Sequence, residues 1–438
     1  MASQDAMGQD AAMMRRAIAL ALRGSGRTNP NPLVGAVIVR DGRIIGQGWH
    51  GRYGGPHAER EALADCARGG FDPAGATVYV TLEPCSHTGH QPPCADALVE
   101  AGVSRVVVGS ADPNPLVDGR GVARLRDAGV EVVTGFMRDE CDAINQVFFH
   151  YITERAPYVV AKWAMSADGR VACASGDARW VTGELARAHG HALRNRLAAV
   201  MVGAGTVRAD DPLLTCRLEG GRDPLRVVCD ARLSAVAPST RLARSAREVP
   251  LIVACCSPES AAGEGGAEGA GRGGVDAEEL ARRAEVLRAL GVEVLELPCE
   301  GRAGRVDLRL LMGELARREV DSVLLEGGPT LHAQALADGL VDEIVAYVAP
   351  KVVGGASAPG AVAGQGAVTM GEAFALSEPD VGTLGVDVRL SWRVGAGAPG
   401  RRRACVSAGP LGPVWDRAAQ GAAHGGEPLS GRARGGER

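Results

Sequence analysis

His57, Glu59, Cys85 and Cys94 have the side-chain types and spacing of a metal site. One imidazole and two thiolates give zinc three bonds and leave a fourth position for water. His57-Ala58-Glu59 falls where a helix should begin, and Cys85 and Cys94 each follow a proline and precede a helical stretch. The positive end of a helix lowers a thiol pKa, so both cysteines can ligate as thiolates. Glu59 is placed to carry a proton between such a water and a leaving amine. A closed structural site would need a fourth donor. Cys66 is nearest, but in the helix after Glu59 it is expected in the core.

The second half of the chain carries a different chemistry. Lys162, in VVAKWAMSADGR, and Lys351, in APKVVGG, are the only lysines among 48 basic residues. Asparagine is also scarce, and Asn29, Asn31 and Asn114 all stand in Asn-Pro steps. A coding bias explains the scarcity, yet a compact ammonium does what a guanidinium does poorly. EGGPT after the apolar run DSVLL puts backbone N–H groups at a helix start, a ready phosphate site.

Bulk composition narrows the class. The 438 residues carry a formal charge of −4 and only 3% aromatics, which argues against a nucleic-acid-coating or polybasic membrane role. No apolar run approaches the roughly 18–20 residues of a membrane span, and the N-terminus does not read as a secretion signal. Eleven scattered cysteines favour thiols and metal ligands in a reducing cytoplasm over a disulfide framework.

The elements that must position these residues alternate between strand and helix. Residues 11–22 and 58–67 read as helices. Residues 33–39 and 43–46 flank Asp41-Gly42 as a hairpin. Strands are expected over 76–82, 105–109 and 130–134, with helices over 94–101 and 119–128. A second run begins at Ala156-Pro157. It has strands in PYVVAKWAM, AAVMVGAGT, LRVVCDA, LIVAC, DSVLLEGGPT and EIVAYVAPKVVG, and helices over 184–196, 276–290, 308–318 and 330–338. The pattern predicts two α/β domains, 1–150 with a mixed sheet and 156–395. Residues 257–275 read as a flexible insert and 396–438 as a disordered tail.

TNPNPLVGAVIV, GQGWHGRYGGPHAE, TVYVTLEPCSHTGHQPPC and ADPNPLVDGRG resemble the deaminase half of the bifunctional deaminase/reductases of riboflavin biosynthesis. GDARWVT, VGAGTVRADDPLLTCR and LEGGPTL resemble the reductase half. The resemblance implies an N-terminal cytidine-deaminase-like three-layer domain and a C-terminal dihydrofolate-reductase-like α/β domain. It implies zinc on His57, Cys85 and Cys94, with Glu59 as the proton carrier. It assigns Asn31, His50, His87, Asp112 and Asn114 to the pyrimidine and ribose-phosphate. In the second half it implies NADPH on Trp180, Thr206, Asp210, Gly328, Pro329, Thr330, Leu331, His332, Ala333 and Gln334. Substrate would meet Arg194, Leu214, Arg217 and Glu326, with Lys162, Asp210 and Glu326 acting near the reacting sugar. Two departures stand out: His90 replaces a lysine common near the substrate phosphate, and Ala178 replaces a serine two residues before Trp180.

The expected activity is deamination of a phosphorylated diaminopyrimidine, then NADPH-dependent reduction of its ribosyl group. The expected partners are that small molecule and further copies of the chain, with neither nucleic acid nor membrane. A monofunctional deaminase with an inactive reductase half and a nucleic-acid-editing zinc deaminase stand as rival readings.

Overall fold

The computed structural model describes residues 2–87, 92–114, 117–257, 277–300 and 304–395. The expected insert beyond Ser257, the expected tail 396–438 and His90 lie outside them.

The first sheet follows from alternation. In β1 (Gly35–Arg40), Ala36 and Ile38 pack on one side and Val37 and Val39 on the other, so both faces must be covered. Asp41-Gly42 turns the chain into β2 (Arg43–Trp49), with φ of 50° and 73°, the two positive values a two-residue hairpin demands. β3 (Thr77–Leu82) joins β1 antiparallel, and β4 (Arg105–Ser110) and β5 (Glu131–Val133) continue in parallel, in the order β2-β1-β3-β4-β5.

Helices close both faces. α1 (Ala2–Ala21) packs on Val37, Tyr79 and Val107. α2 (Ala58–Gly69), α3 (Cys94–Glu100) and α4 (Arg120–Asp127) cover Ile38, Val80 and Val108 opposite. α5 (Arg138–Ile144) returns to the α1 side, and α6 (Gln146–Glu154) leads onward. This is the expected three-layer arrangement. α1 begins well before the expected residue 11. Residues 2–10 have no apolar stripe to announce a helix, but only Gly8 and no proline to prevent one.

The second sheet holds nine strands in the order β10-β9-β8-β7-β13-β6-β14-β16-β15. They are β6 (Tyr158–Ser166), β7 (Ala199–Gly203), β8 (Leu225–Cys229), β9 (Leu251–Cys256), β10 (Glu293–Leu297), β13 (Ser322–Gly327), β14 (Glu343–Ala349), β15 (Asp380–Leu384) and β16 (Asp387–Arg393). A small hairpin, β11 (Cys299–Glu300) and β12 (Arg305–Val306), stands apart. All neighbours from β10 to β14 are parallel, and β16 and β15 close the edge antiparallel. The helices are α7 (Glu184–Arg196), α8 (Ala204–Asp210), α9 (Arg241–Arg244), α10 (Ala277–Ala289), α11 (Leu308–Arg317) and α12 (Pro329–Ala337).

Three expectations need correction. AAVMVGAGT is strand only to Gly203, because Ala204 already starts α8. EIVAYVAPKVVG is strand only to Ala349, because Pro350 has no N–H for a ladder. Cys256 is disulfide-bonded to Cys299, so free thiols fail at this pair. Their Cα atoms stand 5.2 Å apart, within bonding reach. Among the described residues no helix is long and apolar enough to cross a membrane.

Several contacts among the described residues join the halves, including Arg27 to the Gly220 carbonyl, Tyr53 to Glu319 and His150 beside Asp342. Asn29 donates its amide to both Asp321 oxygens at 2.9 and 2.7 Å. The Tyr151 hydroxyl donates to the Ala316 carbonyl at 3.1 Å.

The seat of α2 beside the metal donors is tightly packed. A Cβ on Gly48 would stand 2.5 Å from Ala62 N and 2.6 Å from Ala58 O. Gly48→Ala must therefore push α2, and His57 with it, off the sheet. The expected cost is about 1–3 kcal/mol, read as a lower melting temperature together with reduced zinc content by metal analysis.

Candidate metal centre and cofactor cleft

The metal donors converge where β3 runs out. His57 is the N-cap of α2, Cys85 follows β3 by way of Glu83-Pro84, and Cys94 opens α3. His57 Nδ1 stands 3.5 Å from Cys85 Sγ and 3.4 Å from Cys94 Sγ, and all three donor atoms lie within 4.8 Å of one another. Tetrahedral zinc, with bonds of roughly 2.0–2.1 Å to nitrogen and 2.3 Å to sulfur, sets N···S near roughly 3.6 Å. The residues fit the ion.

Electrostatics agree. The neighbouring Cys94 thiol draws Cys85 down to about 4 against its burial, with His57 helping. Cys94 is pushed up, because the sulfur beside it already carries the charge. Only a cation lets both ionise. Glu59 is 3% exposed, and burial followed by the Cys85 charge pushes its carboxyl up to about 7.

The surrounding polar groups are ordered. His50 donates from Nδ1 to the Pro56 carbonyl at 2.9 Å, which leaves Nε2 to accept from the Asn31 amide at 3.1 Å. Burial holds His50 below the ordinary imidazole range, and its ring stands edge-on to His57 with centroids 5.5 Å apart. Asp112 accepts the Asn114 backbone N–H at 2.9 Å. Burial pushes Asp112 up to about 6 against that bond, and the Glu83 and Cys85 charges add to the rise. His87, two residues past Cys85, is half-buried, and its Nδ1 has no partner among the described residues.

The second site is a cleft of about 1580 Å³ beside β6, β7 and β13. At its base lies a buried ionic cluster. Arg194 donates from Nε and Nη2 to the two Glu326 oxygens at 2.6 and 2.7 Å, and from Nη1 to the Thr215 carbonyl at 2.9 Å. Lys162 Nζ stands 3.8 Å from Glu326 and 5.9 Å from the centre of the Tyr347 ring. Burial would raise Glu326, but the Lys162 and Arg194 charges outweigh it and hold it at about 2. The Arg194 fork expected at a phosphate is thus spent on Glu326, leaving only the outer N–H groups of its Nη atoms for a ligand.

The other expected residues are spread round the cleft. Arg217, Leu214 and Ala178 line it, and Asp210 lies exposed in its wall, making no ion pair among the described residues. Trp180 is 60% exposed, with the Arg187 guanidinium 4.7 Å from its ring centre. Gly328 (φ 83°) turns the chain into α12. A Cβ on Gly327 would stand 2.8 Å from Thr206 Oγ1, so this turn makes a close-walled cradle suited to a dinucleotide phosphate. Pro329, Thr330, Leu331, His332 and Gln334 line the cleft and Ala333 does not. Instead, Ala333 faces Gly364. His332 places its ring nitrogens on the Ala361 and Leu325 carbonyls, at 3.0 and 3.3 Å.

Sequence reasoning missed three groups. His191 lines the cleft on the face of α7 that carries Arg194, and its spacing of three from Arg194 was the available signal. Burial, then the charges of Arg194 and Arg217, hold His191 down at about 4. Lys351, given no role from sequence, donates to the Trp180 carbonyl at 2.6 Å. Glu83, inside the LEPC motif, had no signal of its own.

A zinc-type deaminase domain joined to a reductase domain is the class that this fold and these two sites define. The family models agree: "Cytidine and deoxycytidylate deaminase zinc-binding region" matches residues 7–110 and "RibD C-terminal domain" matches 157–388. The riboflavin biosynthesis protein RibD of Actinobacillus pleuropneumoniae is 44% identical over 87% of this chain and 94% of its own. Its Escherichia coli K12 counterpart is 39% identical over 79% and 89%. A Thermotoga maritima structure, titled a diaminohydroxyphosphoribosylaminopyrimidine deaminase/5-amino-6-(5-phosphoribosylamino)uracil reductase, is 35% identical and covers 89% of this chain and 99% of its own, with a TM-score of 0.73. Acinetobacter baumannii RibD, at 37% identity, gives the same coverage and score. The chain belongs to the RibD family of bifunctional deaminase/reductases, with both domains present and with zinc and NADPH as cofactors.

The three-donor set makes a direct prediction. Full-length protein should hold zinc at the single described cluster. Cys94→Ser should lose most of it, with NADPH oxidation in the cleft of the second half retained. Metal analysis and absorbance at the NADPH band check both.

Proposed function

We propose that the deaminase site takes 2,5-diamino-6-(5-phosphoribosylamino)pyrimidin-4-one and that the cleft reduces the deaminated product to 5-amino-6-(5-phosphoribitylamino)uracil. The observation that carries this reading is the pairing, in one chain, of a His-Cys-Cys cluster backed by buried Glu59 with a cleft based on Lys162 and Glu326.

In the first site, bound zinc supplies the Lewis acidity that makes water a nucleophile near neutral pH. Glu59 accepts a proton from the attacking water and returns it to the departing amine, and ammonia leaves. Its raised pKa suits a group that must both take and give that proton. Asn31 and His50 form one polar wall and Asp112 and Asn114 another, matching the donors and acceptors of a neutral aminopyrimidinone. His87 serves the sugar-phosphate side.

In the second site, bound NADPH supplies the hydride for the sugar C1 carbon. Trp180, Thr206, Asp210, Gly328, Pro329, Thr330, Leu331, His332 and Gln334 hold the cofactor, and Ala333, which does not line the cleft, backs that helix start against Gly364. Lys162 donates to the ring oxygen as the sugar opens, and Glu326, 3.8 Å away, keeps its amine aimed. Asp210 reaches the sugar from the cleft wall. Arg194 orients Glu326 and offers its outer N–H groups, with Arg217, to the phosphate; Leu214 packs beside them.

The domains divide at 1–150 and 156–395. Free thiols at Cys66, Cys141, Cys173, Cys216, Cys229 and Cys255 support a cytoplasmic setting. The exposed Val368 (88%), Met370 (90%) and Val386 (74%), with the open edge of β15, support self-association. The low aromatic content supports a small-molecule substrate over nucleic acid.

A coupled assay following ammonia and NADPH on the diaminopyrimidine tests the reading. Glu59→Gln should cut ammonia release at least ~100-fold with zinc retained. Lys162→Arg should cut NADPH oxidation at least ~10-fold and leave ammonia release within ~2-fold. Equal losses in both half-reactions would sink the assignment of Lys162. Light scattering that gives the mass of a single chain would refute self-association.

A further inference from the structure

Glu83 has no part in the chemistry above, yet its side chain accepts three backbone hydrogen bonds beside the metal donors. It follows β3 directly, and its N–H donates to the Ser110 carbonyl at 3.0 Å, where the parallel strands β3 and β4 end together. Its carboxylate, on a residue only 5% exposed, then reaches across to the start of α4. One oxygen accepts the Gly119 N–H at 3.1 Å. The other accepts the N–H groups of Gly121 and Val122 at 3.0 and 3.1 Å. These are orphan donors at a helix start, and α4 has no acidic residue in its own first turn. A carboxylate there gains both the hydrogen bonds and the helix dipole.

The junction is tight as well as polar. A Cβ on Gly121 would stand 1.8 Å from the Pro84 carbonyl oxygen. The first turn of α4 therefore rests on the backbone between Glu83 and Cys85. On the other side, Val117 and Asp118 ahead of α4 bond back to Asn114, one of the expected substrate contacts. Asp112 accepts the Asn114 N–H, and the Asn114 carbonyl accepts from Val117 and Asp118 at 2.8 and 3.0 Å. One carboxylate thus ties the segment that delivers a metal ligand to the segment that delivers Asp112 and Asn114.

We propose that Glu83 is a positioning residue for deamination, fixing the Asp112–Asn114 turn to the strand end that carries Cys85 and so setting the distance between pyrimidine and metal donors. This rests on the reading that Asp112 and Asn114 meet the pyrimidine. Glutamine keeps the shape of Glu83 but turns one acceptor into a donor facing backbone N–H groups, so the turn loosens while the metal ligands stay.

The test is Glu83→Gln in the full-length zinc protein, assayed for ammonia release, zinc content and NADPH oxidation on the deaminated product. KM for the diaminopyrimidine should rise at least ~10-fold with kcat within ~3-fold. Zinc and NADPH oxidation should stay at wild-type levels. Hydrogen exchange should quicken at Gly119, Gly121 and Val122 but not across α2. An unchanged KM would overturn the proposal. So would loss of zinc and of both activities in Glu83→Gln and Glu83→Asp alike, which would make the residue purely a folding element. Glu59→Gln run alongside separates the two readings. If it retains ammonia release, the deaminase chemistry fails, whereas a silent Glu83→Gln beside a dead Glu59→Gln refutes only the positioning role.

Discussion

Two sulfurs and an imidazole nitrogen packed within 4.8 Å cannot hold two thiolates together without a cation. The N-terminal half is built around that demand. The ligands come from three segments, so each must be fixed separately. α2 is pressed onto β2 at Gly46 and Gly48, where no side chain would fit, and this sets His57 and Glu59. The end of β3 sets Cys85, and the return into α3 sets Cys94, whose own N–H donates to Cys85 Sγ at 3.4 Å. Loosening any one segment would leave thiolates facing each other uncompensated, so the geometry of the layers and the charge of the site are one problem.

The C-terminal half solves the mirror-image problem, a buried anion between cations. Leu325 pairs with Ala161 in the parallel register of β13 and β6, so the next residues along, Glu326 and Lys162, stand side by side. Arg194 arrives from α7 and closes the third side with two short hydrogen bonds. A buried ion pair of this kind contributes little net stability, since desolvation offsets attraction, but removal of one partner is costly. It holds Lys162 and Glu326 side by side in the wall of a cleft. In each half an expected site residue, Cys85 after β3 or Glu326 in β13, stands near the end of a parallel strand, as open α/β sheets favour.

The contact between the halves shows how scarce residues were used. Asn29 and Asn31 flank a single proline, yet they serve different domains. Asn31 faces His50 beside the metal donors, and Asn29 is spent on Asp321 at the foot of β13, the strand that carries Glu326. Lys162 and Lys351 part in the same way, one in the ionic cluster and one holding the Trp180 carbonyl.

The sequence by itself determined the alternation that makes both sheets, the Asp41-Gly42 hairpin, the donor set for zinc and the glycine turn before α12. Each is a local signal: a period of two, a turn that needs positive φ, a ligand type, a backbone approach. What lay outside local reach was the partner of each charged group. Nothing in LEPC says that Glu83 will cap a helix 36 residues on. Nothing around Arg194 says that its fork will be taken by Glu326, 132 residues away. Nothing marks Cys256 and Cys299 as neighbours. Hydrogen bonds and ion pairs act over a few ångströms in space, whatever the separation along the chain, so only the packed sheets decide which groups meet. The sequence named the chemistry of this protein, and the tertiary structure decided which of its charges are free to perform it.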